Sequence, residues 1–317
     1  MLPPQVGLVL YLIGTIDGKN NMRILYLSQE RNIDLAKKNE VLYLDFNTKG
    51  ENGQFPRETY EMIVAFDPEV LLEREFNDGK SKYPEIVNFV KEKVPACKRA
   101  VWLIDSHCNL EWHLAYAPLF DYVFVAISRY QPIIAGHLNK IGSKTKTFWL
   151  PLCYPFNVSK IKRNKSRVPF DIVFVGRWGK WFGQRTDLID KLQKKYGNQF
   201  FAITDYMNME EYLRQGVISF NCSLADDMNF RVFETLANGV ELVTNDVPDL
   251  HLIKGLEGRI NIYHSEEELY KLCDEILAGK RENDVIKSQI WVANHHSLVH
   301  RHREILKMIK TEEQVKY

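Results

Sequence analysis

The stretch from Gly216 to Leu250, which holds the carboxylates Asp226 and Glu234, carries the sharpest chemical signal in the chain. It reads GVISFNCSLADDMNFRVFETLANGVELVTNDVPDL. Val217–Phe220 reads as a buried strand, Asn221–Asp227 as a polar loop, and a helix is expected from near Asn229 to Gly239, a residue that accepts the left-handed conformation ending a helix. The carboxyl end of a parallel strand is where open α/β sheets bind ligands. A helix start there presents free N–H groups and a positive dipole end, which favour phosphate. Arg231 adds a fixed positive charge, whereas Asp226 and Glu234 suit hydroxyl groups. Phosphate beside hydroxyls describes a nucleotide sugar. Phe230, Phe233 and Ala237 share one helical face and Arg231, Glu234 and Asn238 another, so the competing reading of Glu234 is a solvated residue paired with Arg231.

Three further clusters could do chemistry. After an expected strand at Asp171–Val175 comes Gly176-Arg177-Trp178-Gly179-Lys180-Trp181-Phe182-Gly183. Its glycines let backbone approach a ligand, and Arg177, Lys180 and Arg185 bring positive charge. The alternative is a basic surface turn with Trp178 and Trp181 as packing anchors. The spacing is neither the dinucleotide fingerprint nor a Walker A motif, which disfavours an α/β dehydrogenase. Asp105 and His107 follow an apolar run, placed to bind sugar hydroxyls or transfer a proton, while His113 reads as structural. His295, His296, His300 and His302 place two imidazoles at i, i+4, but the H-E-x-x-H glutamate is missing and no third ligand is apparent, so no metal is assigned.

These groups need a frame. The 317 residues suffice for two domains, and 45% hydrophobic with 26% charged residues is ordinary for a globular protein. A formal net charge of +1 disfavours nucleic-acid binding by overall charge. The 5 cysteines are scattered without C-x-x-C spacing, as expected in a reducing compartment. The apolar run Val6–Ile13 is too short to span a membrane and lacks a basic region before it, so the expectation is a cytoplasmic protein without an integral membrane segment.

Short apolar runs alternating with helical patterns predict parallel sheets covered on both faces. In the first half the expected strands are Ile24–Leu27, Val41–Asp45, Met62–Ala65, Ala100–Ile104, Tyr122–Ala126 and Thr147–Leu150. In the second they are Asp171–Val175, Gln199–Ile203, Val217–Phe220, Val240–Thr244 and Arg259–Tyr263. Asn47–Arg57 reads as a loop, and the last helical stretch, Asp284–Lys310, is expected to break around Asn294. Residues 1–21 read as an extension of unassigned order, with an edge strand at Val6–Ile13 as the alternative. The expected domains are 22–158, Rossmann-like and on the acceptor side, and 168–295, Rossmann-like and nucleotide-sugar-binding. The basic run 159–167 links them, and a terminal helix in 296–317 has the option of crossing back to the first.

With these residues in view, the chain resembles glycosyltransferases of the GT-B fold, of the "glycosyl transferases group 1" type, and more narrowly the spore-maturation-protein-B-like proteins. The resemblance rests on WLIDSHCNLEWHLAYAPLFDYVFVA (102–126), FWLPLCYP (148–155), DIVFVGRWG (171–179), NFRVFETLANGVELVTNDVPDL (229–250) and HHSLVHRHREIL (295–306). It implies an α/β fold of two Rossmann-like domains facing each other across a cleft. Retaining members carry E-x7-E, and this chain has Asp226 and Glu234 in those places. By resemblance Glu234 bonds the nucleotide's ribose, Asp226 faces the donor sugar, Arg177 and Lys180 hold the diphosphate, and His107, then Asp105, contact the donor sugar from the first domain. The shorter Asp226 puts its direct contact in question.

The expected function is transfer of a hexosyl or pentosyl group from a UDP-linked sugar to a hydroxyl, with retention and without a metal or other cofactor. Catalytic candidates are Asp105, His107 and Asp226. Donor-binding candidates are Gly176, Arg177, Lys180, Arg185, Asn229, Arg231 and Glu234. The acceptor is either a saccharide or protein, or DNA carrying hydroxymethylated bases, for which the basic run 159–167 is the motive. Salt-sensitive duplex binding would mark the DNA case. The alternative is a nucleotide-sugar-binding module of the same fold that has lost turnover.

Overall fold

The computed structural model describes residues 10–13, 22–28, 33–36, 39–45, 54–75, 83–156 and 168–317. The basic run 159–167 and most of the expected loop 47–57 lie outside them. The chain divides into two compact units, one of Met1–Pro151 with His302–Val315, the other of Leu152–Arg301 with Lys316–Tyr317.

In the first unit the strands are β1 (Leu10–Ile13), β2 (Arg23–Leu27), β3 (Glu40–Leu44), β4 (Val70–Arg74), β5 (Lys98–Leu103), β6 (Tyr122–Val125) and β7 (Lys146–Trp149). They form one sheet in the order β1-β3-β2-β4-β5-β6-β7. All neighbours are parallel except β1, which runs antiparallel along β3 as an edge strand. The helices are α1 (Ile33–Ala36), α2 (Arg57–Phe66), α3 (Pro84–Lys93), α4 (Ser106–Tyr116) and α5 (Gln131–Lys140). Ile24, Leu25, Tyr26 and Leu27 are all fully buried, as expected of a parallel strand covered on both faces.

One expected strand is wrong. Met62–Ala65 lies inside α2, whose buried residues Thr59 and Ile63 are four apart, the spacing of one helical face. A four-residue apolar run does not distinguish the two periods. The true strand, β4, was hidden because it ends in Glu73-Arg74 and is followed at once by Glu75. All three charged residues are buried and have partners: the Tyr116 hydroxyl donates to Glu73 Oε2 at 2.8 Å, Arg74 lies over the Trp102 ring, and Glu75 is held by His113 and the Ile104 N–H.

In the second unit β8 (Phe170–Val175), β9 (Phe200–Ile203), β10 (Gly216–Asn221), β11 (Glu241–Asn245) and β12 (Asn261–Tyr263) form a wholly parallel sheet in the order β12-β11-β10-β8-β9. The chain leaves β8 to form β9 on one side and β10 on the other, so strand order reverses between β8 and β10. That reversal opens the crevice in which doubly wound sheets bind ligands. The helices are α6 (Gly183–Tyr196), α7 (Met209–Leu213), α8 (Arg231–Ala237), α9 (Glu266–Leu277), α10 (Val285–His295) and α11 (Leu298–Thr311). The expected break near Asn294 falls at His296–Ser297, where Tyr154 bridges to Ser297. Among the described residues no helix is long and apolar enough to cross a membrane.

Candidate active site

Both loops at the β8–β10 reversal were candidates from sequence, and the structure ties them together. Gly176 follows β8 directly, and a Cβ there would sit 2.8 Å from the Phe174 ring. Gly179 has φ 110° and ψ −166°, a conformation essentially reserved for glycine. The Thr186 hydroxyl clamps it from α6, accepting from the Gly179 N–H at 2.8 Å and donating to its carbonyl at 2.9 Å. Arg185 staples the two loops: its Nε donates to the Cys222 carbonyl and its Nη1 to that of Arg177, both at 2.9 Å. Arg185 thus shapes the site, while Arg177 and Lys180 are exposed on it. Trp178 packs edge-on against Phe174, as an anchor should. Trp181 does not, being 86% exposed beside Lys180.

The loop after β10 is a rigid polar turn. Asn221 donates to Ser223 and Thr244, Asn229 donates to Asn221 at 3.1 Å, and Asn245 bonds both backbone groups of Ser223. Ala225 and Asp226 adopt φ 53° and 49° in succession, a left-handed pair without glycine. Such strain persists where surrounding structure enforces it, commonly at functional sites. Asp226 is exposed on this turn.

Two expectations for the next helix are corrected. It begins at Arg231 rather than near Asn229, whose Oδ1 instead accepts from the Arg231 N–H at 3.1 Å. It also has no solvated face, since every residue of α8 is buried. The sheet lies on one side and α10 on the other, and the Thr235 hydroxyl reaches Ser219 of β10. Arg231 and Glu234 therefore form a buried ion pair, 3.0 Å apart with side chains 7% and 11% exposed. Arg231 is the one partner of the Glu234 carboxylate among the described residues, which leaves an acceptor position open. Burial holds Glu234 above the ordinary carboxylate range; Arg231 pulls it down and Glu210 pushes it further up.

In the first unit, Asp105 and His107 sit where β5 passes into α4, a carboxylate oxygen of one within 4.8 Å of a ring nitrogen of the other. Asp105 makes no side-chain cap. Burial, then the Glu75 charge, pushes it up to about 6, with a smaller opposing pull from His113. A carboxylate in that range is a competent proton acceptor near neutral pH. Burial, then Arg129, holds His107 below the usual imidazole range, which favours its neutral form. Sequence reasoning missed the layer beneath. His113, fully buried, bonds Ser106 Oγ at 3.0 Å and Glu75 Oε1 at 2.9 Å. The readable signal was three charges following an apolar run, Val70-Leu-Leu-Glu-Arg-Glu75.

The terminal histidines are not a facing pair. His296 precedes α11, stacks on Phe233 at 4.9 Å and bonds Arg301 Nη2 at 2.7 Å. Burial, then Arg301, pulls it to about 2. His300 bonds Ser297 Oγ at 2.7 Å, and His302, in the first unit, packs edge-on against Tyr26.

Residues 156–307 match a family model described as glycosyl transferase-like. With the two Rossmann-like units, this defines the class: the fold is the GT-B fold, and the second unit carries the match to the glycosyl transferase-like family. Among similar solved structures is the Anabaena protein Alr3699/HepE in complex with UDP and glucose, at 14% identity and TM-score 0.58, covering 92% of this chain and 100% of that one. A glycosyltransferase from Rickettsia africae ESF-5 aligns at 11% identity and TM-score 0.57 over 92% of this chain and 98% of its own. The apo lipopolysaccharide outer core galactosyltransferase WaaB aligns at 11% identity and TM-score 0.55, over 92% and 100%. No curated protein matches the sequence significantly.

Proposed function

We propose that the protein transfers a sugar from a UDP-linked donor to a hydroxyl acceptor, with the donor nucleotide held in the β8–β10 crevice of the second unit. One observation carries this reading. Glu234 is a buried carboxylate at the crevice with one protein partner, Arg231, and buried acceptors are normally satisfied. Ribose hydroxyls complete it. UDP in the complex of Alr3699/HepE, a structure of the same fold, supports this nucleotide.

The diphosphate then lies along the Gly176–Gly183 turn, where backbone approaches closely and Arg177 and Lys180 face outward. Arg231, already oriented by Glu234, adds charge from below. These cations stabilise the leaving nucleoside diphosphate as its charge develops, so turnover proceeds without a divalent ion and survives a chelator. Asp226, on its strained turn, faces the donor sugar, and Asp105 and His107 are the catalytic candidates of the first unit. With retention, the hydroxyl attacks on the face the diphosphate leaves, and the departing phosphate takes its proton.

The test is a thermal-shift series with nucleoside diphosphates, followed by donor-hydrolysis assays of the wild type and Glu234→Ala. Selective stabilisation by UDP, with turnover lost in the variant, is the expected result. Binding and turnover untouched by Glu234→Ala would refute the site. UDP binding with no turnover on any acceptor or water would favour the inactive-module reading.

A further inference from the structure

The donor reading uses Arg231 and Glu234, yet a second carboxylate acts on the same pair from another element. Glu210, on α7, has both oxygens engaged: Oε1 accepts from the Tyr154 hydroxyl and Oε2 from Arg214 Nη2 at 2.7 Å. Arg214 Nε donates to Asn238 Oδ1 at 2.9 Å, and Asn238 Nδ2 donates to the Glu234 carbonyl at 2.9 Å. Tyr154 is anchored in turn, its N–H donating to the His296 carbonyl at 2.8 Å and its carbonyl accepting from Leu298 N–H at 3.0 Å. A continuous chain thus runs from Tyr154 through Glu210 and Arg214 to the helical turn that carries Glu234. An ordinary i, i+4 surface pair, as Glu210–Arg214 would be alone, recruits neither a tyrosine hydroxyl nor an asparagine.

Resting on the donor reading above, we propose that Glu210 is a positioning residue for the nucleotide site: braced by Tyr154 and Arg214, it holds a negative charge beside Glu234 and so governs how the Arg231–Glu234 pair grips a bound nucleotide. The charged groups acting on Glu234 are Arg231 on its own helix and Glu210 on α7; Arg214 and Tyr154 are bonded to Glu210, and His296 stacks on the neighbouring Phe233. His296 is uncharged at neutral pH. An ionised Glu234 accepts hydrogen bonds from ribose hydroxyls and stays paired with Arg231; protonated, it loses most of that capacity. Nucleotide affinity therefore falls as pH falls through the titration of Glu234. Like charges oppose ionisation, so Glu210 places that fall at a higher pH than Arg231 and burial would alone.

Calorimetric titration of the full-length protein with UDP from pH 5 to 8 tests this, using wild type, Glu210→Gln, Tyr154→Phe and Glu234→Gln. The nucleotide's own ionisation is common to all and cancels in ratios between proteins. In Glu210→Gln the fall in affinity should move to lower pH, raising the ratio of acid to neutral affinity relative to wild type by about twofold or more. Tyr154→Phe, which keeps the charge, should weaken binding at every pH without moving the fall, and Glu234→Gln should abolish it. Should Glu210→Gln not fold, Arg214→Gln serves in the opposite direction: Glu210 is then less neutralised and the fall moves up. An unmoved fall in a folded variant overturns the role of Glu210 and leaves the donor reading standing. No UDP binding by wild type, or a Glu234→Gln profile like wild type, overturns the donor reading and this inference with it.

Discussion

Replacing Arg231 by methionine isolates what the buried pair does. Methionine roughly preserves side-chain bulk, so the change removes charge more than packing. At a separation of 3.0 Å, with 7% and 11% exposure, solvent screens the pair little. Leaving one partner of such a pair uncompensated costs about 3–5 kcal/mol. Acid relieves that loss. Glu234 already has a folded-state pKa above its ordinary value, so its contribution is a penalty, absent below the unfolded pKa and growing as pH rises through the folded one. Without Arg231 the folded pKa rises further, and the penalty deepens toward neutral and alkaline pH. Arg231→Met should therefore destabilise the second unit by about 3–5 kcal/mol at pH 8 and by clearly less at pH 5. In a Glu234→Gln background the pH dependence should vanish. Urea midpoints at both pH values report it, compared as midpoints because a chain of two units need not unfold in one step. A loss under about 1 kcal/mol, equal at both pH values, would mean a solvated pair and would refute the argument.

Gly179→Ala should cost about 1–3 kcal/mol through backbone strain, read by thermal melting, and should weaken UDP binding because the turn no longer follows the diphosphate. Trp178→Ala should destabilise while Trp181→Ala stays within about 0.5 kcal/mol of wild type, since the first packs on Phe174 and the second is 86% exposed; melts of the two variants distinguish them. Glu75→Ala strips His113 and the Ile104 N–H of their acceptor, and should lower stability in denaturant melts by about 2 kcal/mol or more.

Most of the fold was legible because its signals are local. Gly239 at a helix end and the apolar runs of β2, β6 and β10 each speak through a few neighbouring residues. β4 was not, because Glu73 and Glu75, of a type normally exposed, are buried there and hydrogen-bonded to Tyr116 and His113, residues some forty positions away. The candidate site divides the same way. Loops at strand ends could be placed from sequence, so the candidates Gly179 and Asp226 lie, as expected, just after β8 and β10, and Glu234 in the helix that follows. The burial of α8 could not, because it depends on α10 packing over a helix whose own spacing suggests one polar face. The stapling role of Arg185, in sequence one of three donor-binding charges, is hidden for the same reason: its carbonyl partners, Arg177 and Cys222, are on two different loops. Glu210 and Tyr154 had no motif at all. Their meaning lies in a hydrogen-bonded chain between distant segments, which spacing cannot reveal.

The central claim, that the second unit holds a uridine nucleotide at the β8–β10 crevice through Glu234, is tested most directly by a crystal structure of the protein with UDP. The account predicts ribose hydroxyls within hydrogen-bonding distance of the Glu234 carboxylate and the diphosphate against the Gly176–Gly183 turn, near Arg177 and Lys180. Nucleotide density elsewhere, or in the crevice with Glu234 paired only to Arg231, would contradict it.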